Sequence, residues 1–270
     1  MMISVGAEPI FFLGTFPVTN SMLTAWIVVA LFFICGWFIR KQASLAPKGM
    51  MNFVDWVIEF LLTEAEKVTG DRERTRKFFP LCATLFFFIL ISNWMGLLPG
   101  VGSIGIHETH AGESVLIPLF RPATSDLNFT LAIAIFSILA THIFGIFTFG
   151  FLTHASKFFN VRGIIRAIRR GPMDVVVAIV EFFVGLLEIV SEGAKAVSLA
   201  LRLFGNVFAG EVLLTVMYSL VSFFIPLPFL FLELLVGLIQ ATVFSMLVLV
   251  FLKSMTDNLH GEEESEHTTH

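Results

Sequence analysis

The sequence predicts an all-α integral membrane protein with about five transmembrane helices and one amphipathic surface helix. Three observations predict this fold. The chain is 56% hydrophobic and 14% charged, against roughly 25% charged residues in a soluble domain. Its apolar residues are gathered into blocks of roughly 20, the length that crosses a bilayer core. Most of the basic residues lie between these blocks and are unevenly divided between the two sides of the predicted membrane.

Five apolar segments are predicted to enter the membrane, and together they form a single membrane domain. The first segment, residues 21–39, stops at Arg40 and Lys41. The others are residues 78–98, 126–151, 173–224 and 229–255. Because about 20 residues suffice to cross a bilayer, the segment 173–224 must tilt, bend or break. No Lys or Arg occurs in the first 20 residues, so we expect the first block to be a retained span rather than a cleaved signal.

Residues 47–70 have the pattern of an amphipathic helix. Charged residues occupy one side of this helix, among them Asp55, Glu59 and Lys67. Apolar residues follow at helical spacing on the other side: Val54, Val57, Ile58, Leu61, Leu62, Ala65 and Val68. One apolar stripe of this kind predicts a helix that lies on the membrane surface rather than crossing it.

The basic residues predict the orientation of the chain. If the spans alternate, 14 of the 17 Lys and Arg residues fall on one side. Arg121 alone lies on the other side, and Lys195 and Arg202 lie within the membrane. By the positive-inside rule the N-terminus faces out and the C-terminus faces the cytoplasm.

The segments between and after the helices are predicted to be connections and a tail, and the two cysteines are predicted to be buried. Residues 71–77 form a basic linker, residues 100–125 a loop and residues 157–170 a basic loop. Residues 256–270 form an acidic, flexible tail to which we assign no role. Cys35 and Cys82 show no metal-ligand or redox spacing, so both are expected to be small buried hydrophobes.

Ionisable residues are concentrated in the segment 173–224. Glu181, Glu188, Lys195 and Arg202 recur every seven residues, which places them on one face of a helix. Because a charge within the membrane costs about 2.5 to 3.5 kcal/mol on insertion scales, such residues are functional candidates. A structural alternative is that Glu188, Glu192 and Lys195 pair along the helix and neutralise one another.

Arg202 differs from the other charges of this segment. Its neighbours one turn away, Ser198 and Asn206, are neutral, and Glu211 would project from the opposite face of a straight helix. We therefore expect Arg202 to find its acid on the last span or on another protein. Small residues along the same helix would allow a partner to approach closely: Gly193, Ala194, Ala196, Ser198, Ala200, Gly205 and Ala209.

The last span contributes Glu233 and Gln240, which are seven residues apart and share a face. Together with Arg202, Asn206 and Glu211 they predict a polar track between two helices. The alternative interpretation is that these side chains form interhelical hydrogen bonds that only hold a bundle together.

The segment SLALRLFGNVFAGE, residues 198–211, resembles the signature segment of subunit a of the F-type ATP synthase. Two further stretches support the resemblance, SNWMGLLPG at residues 92–100 and RPATSDLN at residues 121–128, as does the region of Gln240. The order of the spans resembles the family from end to end.

The resemblance implies a stationary subunit, not catalytic alone, whose last two helices are long, tilted and packed as a hairpin against a ring of c subunits. Its implied partners are the c-subunit ring, the peripheral-stalk b subunits, membrane lipid and protons, with no nucleic acid, cofactor or metal. The implied location is an energy-coupling membrane, either the bacterial inner membrane or an organellar inner membrane.

The resemblance also implies residue roles. Arg202 matches the family's essential arginine, which faces the carboxylates of the ring. The outer half-channel, through which protons reach the ring, would use Asn206, Glu211, Glu233, Gln240, Asp126 and Asn128. The inner half-channel, through which they leave, would use Glu188, Ser198, Glu192 and Lys195. Many relatives pair a carboxylate with a histidine where this chain has Glu211 and Glu233, so which of the two acids relays the proton stays open.

Other functions fit the residues less well. The sequence His107-Glu-Thr-His110 suggests zinc, but its histidines are three residues apart in a predicted loop rather than four apart on a helix. A bis-histidine haem site is disfavoured because His142 and His154 belong to the same predicted span. A secondary transporter is disfavoured because no repeated half is found. A Na⁺-translocating version of the same subunit stays open.

Overall fold

A computed structural model describes residues 6–42, 49–98, 101, 104–110, 113–151, 154, 172–220 and 226–267. These residues form six α-helices and two short β-hairpins. The helices are α1 Asn20–Gln42, α2 Met50–Thr69, α3 Arg72–Met95, α4 Leu127–Phe149, α5 Pro172–Leu220 and α6 Pro226–His267. The strands are β1 Pro9–Leu13, β2 Phe16–Thr19, β3 Gly105–His110 and β4 Glu113–Pro118.

Four helices of the described chain are long and apolar enough to cross a membrane. They comprise Asn20–Gln42, Arg72–Met95, Leu127–Thr148 and Pro226–Thr256, and they correspond to four of the five predicted spans. The fifth predicted span corresponds to α5, which is not among these four.

Helix α2 confirms the predicted amphipathic pattern. Leu61, Leu62 and Ala65 are buried against α3 and α6, and all three belong to the predicted apolar stripe. The opposite surface carries a stacked row of exposed aromatic rings, with Phe53 and Trp56 centroids 6.0 Å apart and Trp56 and Phe60 centroids 6.1 Å apart. The helix ends at Gly70, whose φ of 76° is the left-handed conformation that glycine favours.

Two predicted connections form regular structure instead. The basic segment 71–77 is the first part of α3, because Asp71 caps the helix by accepting a hydrogen bond from the Glu73 backbone N–H. The predicted loop 100–125 contains the β3–β4 hairpin, in which His107 pairs with Leu116, and a 3₁₀ turn at Ala123–Ser125. Each of these strands has only six residues, so neither contains the long apolar run that predicts a core strand.

The cysteines differ from each other. Cys82 is buried in the contact between α3 and its neighbours, as predicted. The prediction for Cys35 was wrong, because this thiol is exposed on α1. Helix α1 packs mainly through its first turns, at Asn20, Thr24 and Val28, so that its later residues face away from the protein.

The two last helices are unbroken. Helix α5 has 49 residues, which at 1.5 Å per residue gives a length of about 74 Å. If it lay within a bilayer core of about 30 Å, it would tilt by roughly 65° from the membrane normal. The segment 173–224 was predicted to tilt, bend or break, and the continuous helix α5 excludes a break. Helix α6 continues to His267, so the tail that was predicted to be flexible from residue 256 is helical up to that residue.

A core of apolar side chains joins α3, α4, α5 and α6. Helix α6 contributes Ala241, Phe244, Val248 and Leu252, which lie at helical spacing and are fully buried. They meet side chains that include Leu85 and Ile89 of α3, Ala134 and Ile138 of α4, and Leu199 and Leu203 of α5. Hydrogen bonds add to the packing near the C-terminal end of α3, where Asn93 Nδ2 donates to the Gly237 carbonyl and Trp94 Nε1 to the Leu234 carbonyl. This core fixes α5 against α6 and thereby positions the polar residues of both.

Candidate functional site

The side chain of Arg202 is exposed on the surface of α5. Within the described part of the chain it makes no ion pair and no hydrogen bond. It lines a groove of about 260 Å³ between α5 and α6, which we call the Arg202 groove. The groove is lined by Ser191, Ala194, Lys195, Ser198, Leu199, Arg202, Leu247 and Phe251. The expectation that Arg202 has no acid on the adjacent turns of its own helix is confirmed.

The surface around Arg202 consists largely of small residues. Ala194, Ser198, Gly205 and Ala209 recur along α5, and all four are exposed. Around Gly205 there is open space, since an added Cβ would meet no atom within 4 Å. Other small residues of the predicted set, Ala196 and Ala200, are buried in the protein instead. The small residues therefore fall into two sets, one buried within the chain and one on the open face that carries Arg202.

Glu211 lies on a different side of α5 and forms a buried ion pair with Arg121. The Arg121 Nε donates to Glu211 Oε2 at 3.1 Å, and Arg121 is only 4% exposed. The guanidinium also donates through Nη1 to the Gly6 carbonyl at 3.0 Å, and the Arg121 backbone N–H donates to Thr24 Oγ1 at 3.3 Å. Sequence reasoning missed this partner of Glu211. The sequence contained an indication of this pairing, because Arg121 is the one basic residue that the predicted topology places on the outer side.

Glu233 of α6 has different surroundings from Glu211. Its carboxylate occupies the space that a side chain at Gly210 would fill, so the absence of a Cβ there allows α6 to place this acid against the α5 backbone. Among the described residues no hydrogen bond or ion pair reaches the Glu233 carboxylate. Glu211 and Glu233 therefore lie near the same turn of α5. Arg121 pairs with Glu211, whereas no counter-charge within the described chain reaches Glu233.

Two amides accompany these acids. Gln240 is buried, and its Nε2 has no hydrogen-bond partner. Asn206 is half-buried on α5, one turn beyond Arg202. No hydrogen bond within the described chain joins either amide to Arg202, Glu211 or Glu233. The predicted track is thus a set of nearby polar groups rather than a continuous hydrogen-bonded chain.

At the N-terminal end of α4, Asp126 caps the helix. Its Oδ1 accepts from the Asn128 backbone N–H at 3.0 Å, and its Oδ2 accepts from Ser21 Oγ of α1 at 3.0 Å. Both carboxylate oxygens are engaged, and Asp126 is buried. Asn128 is exposed. Of the two residues predicted to admit water, one holds helices together and the other faces outward.

The N-terminal half of α5 carries a second group of ionisable residues. Glu192 is buried and pairs with Lys195 at 2.7 Å, so the predicted neutralisation along the helix is confirmed for these two residues. The Lys195 Nζ also lies 5.3 Å from the centre of the Phe251 ring of α6. Glu188 is half-buried one turn earlier. Lys195 thus belongs both to this pair and to the wall of the Arg202 groove.

His142 and His154 meet, although they belong to the same predicted span. Helix α4 ends at Phe149, and Gly150, with a φ of 84°, turns the chain back. The His154 ring then packs against Gly145, and His142 Nδ1 lies 3.2 Å from His154 Nε2. The prediction of one continuous span did not anticipate this contact, which forms because the helix ends between the two histidines.

These observations define a polytopic helical membrane protein whose ionisable groups lie within its helices, the class in which such groups mark ion pathways. The family model for the ATP synthase A chain matches residues 22–253. The chain belongs to this family.

Individual relatives agree with the family match. The chain is 32% identical over 241 residues to ATP synthase subunit a of Trichlorobacter lovleyi, with 89% of each chain covered. It is 32% identical over 241 residues to ATP synthase subunit a of Geobacter sulfurreducens, again with 89% of each chain covered. ATP synthase subunit a of Moorella thermoacetica is 29% identical over 260 residues, which cover 96% of this chain and 100% of the relative. The chain is thus a multi-pass membrane subunit of an ATP synthase, concerned with ATP synthesis and ion transport and not catalytic alone.

Proposed function

We propose that this chain is the stationary subunit that faces a rotating ring of c subunits and carries protons to and from the ring carboxylates through two half-channels. The observation that carries the proposal is the exposed Arg202 guanidinium on a face of small residues. A cation facing lipid costs about 2.5 to 3.5 kcal/mol on insertion scales. A partner that brings a carboxylate to this face removes that cost, and the small residues allow the partner's helices to approach.

The chemistry of arginine suits this position. A ring carboxylate that faces lipid has to be neutral, whereas one that exchanges its proton has to ionise. A guanidinium about 4 Å away contributes roughly 4 kcal/mol to the ionised form at an effective dielectric near 20. A lysine could lose its charge on burial, whereas an arginine retains it. The fixed positive charge of Arg202 also opposes the direct passage of protons between the half-channels.

The outer half-channel in this proposal comprises Asn206, Glu211, Glu233 and Gln240, with Asn128 at its mouth. Glu233 is the proton relay, because its carboxylate has no counter-charge within the described chain and can alternate between its two forms. Glu211 is paired with Arg121, which makes it a positioning residue. Asp126 supports the mouth by joining α1 to α4.

The inner half-channel begins at the Arg202 groove. Ser198 and Lys195 line the groove between Arg202 and its inner end, and Lys195 leads to Glu192. Glu188 lies on the same helix one turn closer to the inner side. A proton that leaves a ring carboxylate beside Arg202 would follow these groups toward the cytoplasm.

The proposal includes the setting of the subunit. The N-terminus faces outward and the C-terminus faces the cytoplasm, in agreement with the distribution of basic residues. The membrane is a bacterial inner membrane, in keeping with the bacterial relatives, and peripheral-stalk b subunits hold the chain stationary. Protons are the transported ion, and a requirement of pumping for Na⁺ would identify the Na⁺-translocating alternative.

The experiment is ATP-driven acidification of inverted vesicles that contain the whole ATP synthase, in Na⁺-free buffer. We expect Arg202→Ala to abolish acidification and Arg202→Lys to lose most of it, since only a guanidinium keeps its charge and its fork geometry. Phe33→Ala, an exposed position on α1, is the control and should acidify normally. Complexes are first shown to contain this subunit and the ring in wild-type amounts. Coupled pumping by assembled Arg202→Ala complexes would contradict the proposal.

A further inference from the structure

His142, which is half-buried, and His154, which is buried, form a pair at the inner end of α4. His142 Nδ1 and His154 Nε2 are 3.2 Å apart, and the ring planes are inclined by 73°. His154 is 5% exposed. At this distance one nitrogen donates its hydrogen to the other, so the two rings share a proton position.

The second nitrogen of His142 faces an acid of the neighbouring helix. His142 Nε2 lies 3.8 Å from Glu192 Oε2, and the other oxygen of Glu192 binds Lys195. When His142 donates through Nδ1 to His154, its Nε2 has a lone pair directed toward the carboxylate. A proton bound at Nε2 replaces this contact between two acceptors by an ion pair.

The groups around the histidine pair belong to two helices that pack against α4, namely α5 and α6. Helix α5 contributes Glu192 and Lys195, with Glu188 one turn away. Helix α6 contributes Phe251 beside Lys195 and Met255 beside Gly145, neither of which is charged. The nearby cation of α6, Lys253, is directed to the Val68 carbonyl of α2, 3.1 Å away. The acid that faces the pair, Glu192, and the cation bound to that acid, Lys195, both belong to α5.

The same groups connect the pair to the Arg202 groove. Ser198 and Lys195 line the groove with Arg202, Lys195 binds Glu192, and Glu192 faces His142. Polar side chains thus extend from the exposed guanidinium to a histidine pair on another helix. Imidazole is the side chain that ordinarily exchanges protons near neutral pH.

We propose that His142 and His154 form a proton-binding site that extends the inner half-channel and exchanges protons between Glu192 and the cytoplasmic water. One proton binds at His142 Nε2, forming an imidazolium that pairs with the Glu192 carboxylate. One proton then leaves, either from that nitrogen toward Glu192 or from His154 toward the water, and only N–H and O–H bonds form or break. The proposal rests on the proposed function, because it takes the Arg202 groove to carry protons.

The first test measures ATP-driven pumping by the whole complex in inverted vesicles, whose outer solution is the cytoplasmic side. During pumping the inner half-channel takes up protons, and uptake limits the rate when protons are scarce. We expect His142→Gln and His154→Gln to pump at wild-type rates at an outer pH of about 6.5 and several-fold more slowly at about pH 8.5. Thr148→Val, an exposed change one turn from Phe144 on α4, should follow the wild-type profile.

A positioning variant keeps both histidines. A Cβ at residue 145 would lie 2.9 Å from His154 Nδ1 and 3.0 Å from its Cε1, so Gly145→Ala displaces the ring. We expect this variant to lose rate at high outer pH in the same direction as the histidine variants. Losses that are uniform across pH, or profiles that match wild type, would overturn the proposal.

A second readout does not depend on pumping. Histidine ¹⁵N spectra of the complex in lipid vesicles should show an imidazolium that disappears in His142→Gln and weakens in Glu192→Gln. Two neutral rings at pH 6.5 would overturn the proton-binding site while leaving the proposed function intact. Pumping by Arg202→Ala would instead contradict the proposed function, whatever the histidine spectra show.

Discussion

Arg121 Nε lies 3.1 Å from the Glu211 carboxylate, and the pair joins the segment before α4 to the outer half of α5. The Arg121 side chain is 4% exposed and that of Glu211 is 23% exposed. Removing one partner of a buried pair costs about 3 to 5 kcal/mol, because it leaves an uncompensated charge. The pair therefore fixes the position of Glu211.

A double-mutant cycle tests this relationship. We expect Arg121→Met alone to lower the thermal stability of the purified complex strongly and to impair its assembly. Glu211→Gln alone should cost less, because the amide still accepts a hydrogen bond from Arg121. The double variant should be more stable than Arg121→Met, with a coupling energy of about 1 to 3 kcal/mol. Additive losses in the melting experiment would show that the two side chains do not interact.

The asymmetry between the two acids predicts unequal effects on transport. We expect Glu233→Gln to reduce proton-driven ATP synthesis by about tenfold or more, since it removes an exchangeable acid that the pathway uses. Glu211→Gln should retain a larger share of the rate, because Glu211 is paired with Arg121 rather than free to exchange. Rates are measured in reconstituted vesicles under an imposed proton gradient. Equal losses, or a greater loss in Glu211→Gln, would contradict the assignment of Glu233 as the relay.

Gly210 is predicted to be required for the placement of Glu233. Both Gly210→Ala and Gly193→Ala should gain helix stability of about 1 kcal/mol from the lost backbone freedom. Around Gly193 there is open space, whereas at Gly210 the Glu233 carboxylate occupies the position of the added methyl group. We expect Gly193→Ala to synthesise ATP normally and Gly210→Ala to lose activity. Normal activity in both variants would show that the contact between Gly210 and Glu233 is dispensable.

Substitutions of Asp126 distinguish a structural role of this residue from a role in proton transfer. Its carboxylate caps α4 and accepts from Ser21. Asp126→Ala should destabilise the protein by about 0.5 to 2 kcal/mol, the cost of losing a cap. Asparagine caps helices as well as aspartate, so Asp126→Asn should restore both thermal stability and most of the proton conduction. A stable Asp126→Asn complex without conduction would instead place an exchangeable acid at this position.

Much of the architecture could be predicted from the sequence, because bilayer thickness sets the length of the apolar segments and helical periodicity sets the spacing of apolar residues. Four predicted spans, the stripe of α2 and the absence of an acid on the turns adjacent to Arg202 are confirmed. What the sequence did not reveal depends on contacts between distant segments. Predicting the contact of Arg121 with Glu211, or that of Glu233 with Gly210, requires knowing which helix faces pack together.

The other differences have local causes. A cap at Asp71 converts a predicted linker into helix, and a left-handed Gly150 folds His154 back toward His142. A charged segment can also continue a helix, as α6 does beyond residue 256. Hydropathy does not detect these events, because each depends on one backbone conformation or on one hydrogen bond.

The most direct test of the central claim is disulfide crosslinking between the Arg202 face and the ring. Cys35→Ser and Cys82→Ala first remove the native thiols. Ser198→Cys is then combined with a cysteine one helical turn from the ring carboxylate, and Leu139→Cys, which is 54% exposed on α4, is the matched control. We predict that Ser198→Cys crosslinks to the ring under mild oxidation and blocks ATP-driven rotation, whereas Leu139→Cys does neither. Crosslinking from Leu139→Cys, with none from Ser198→Cys in assembled complexes, would contradict the account.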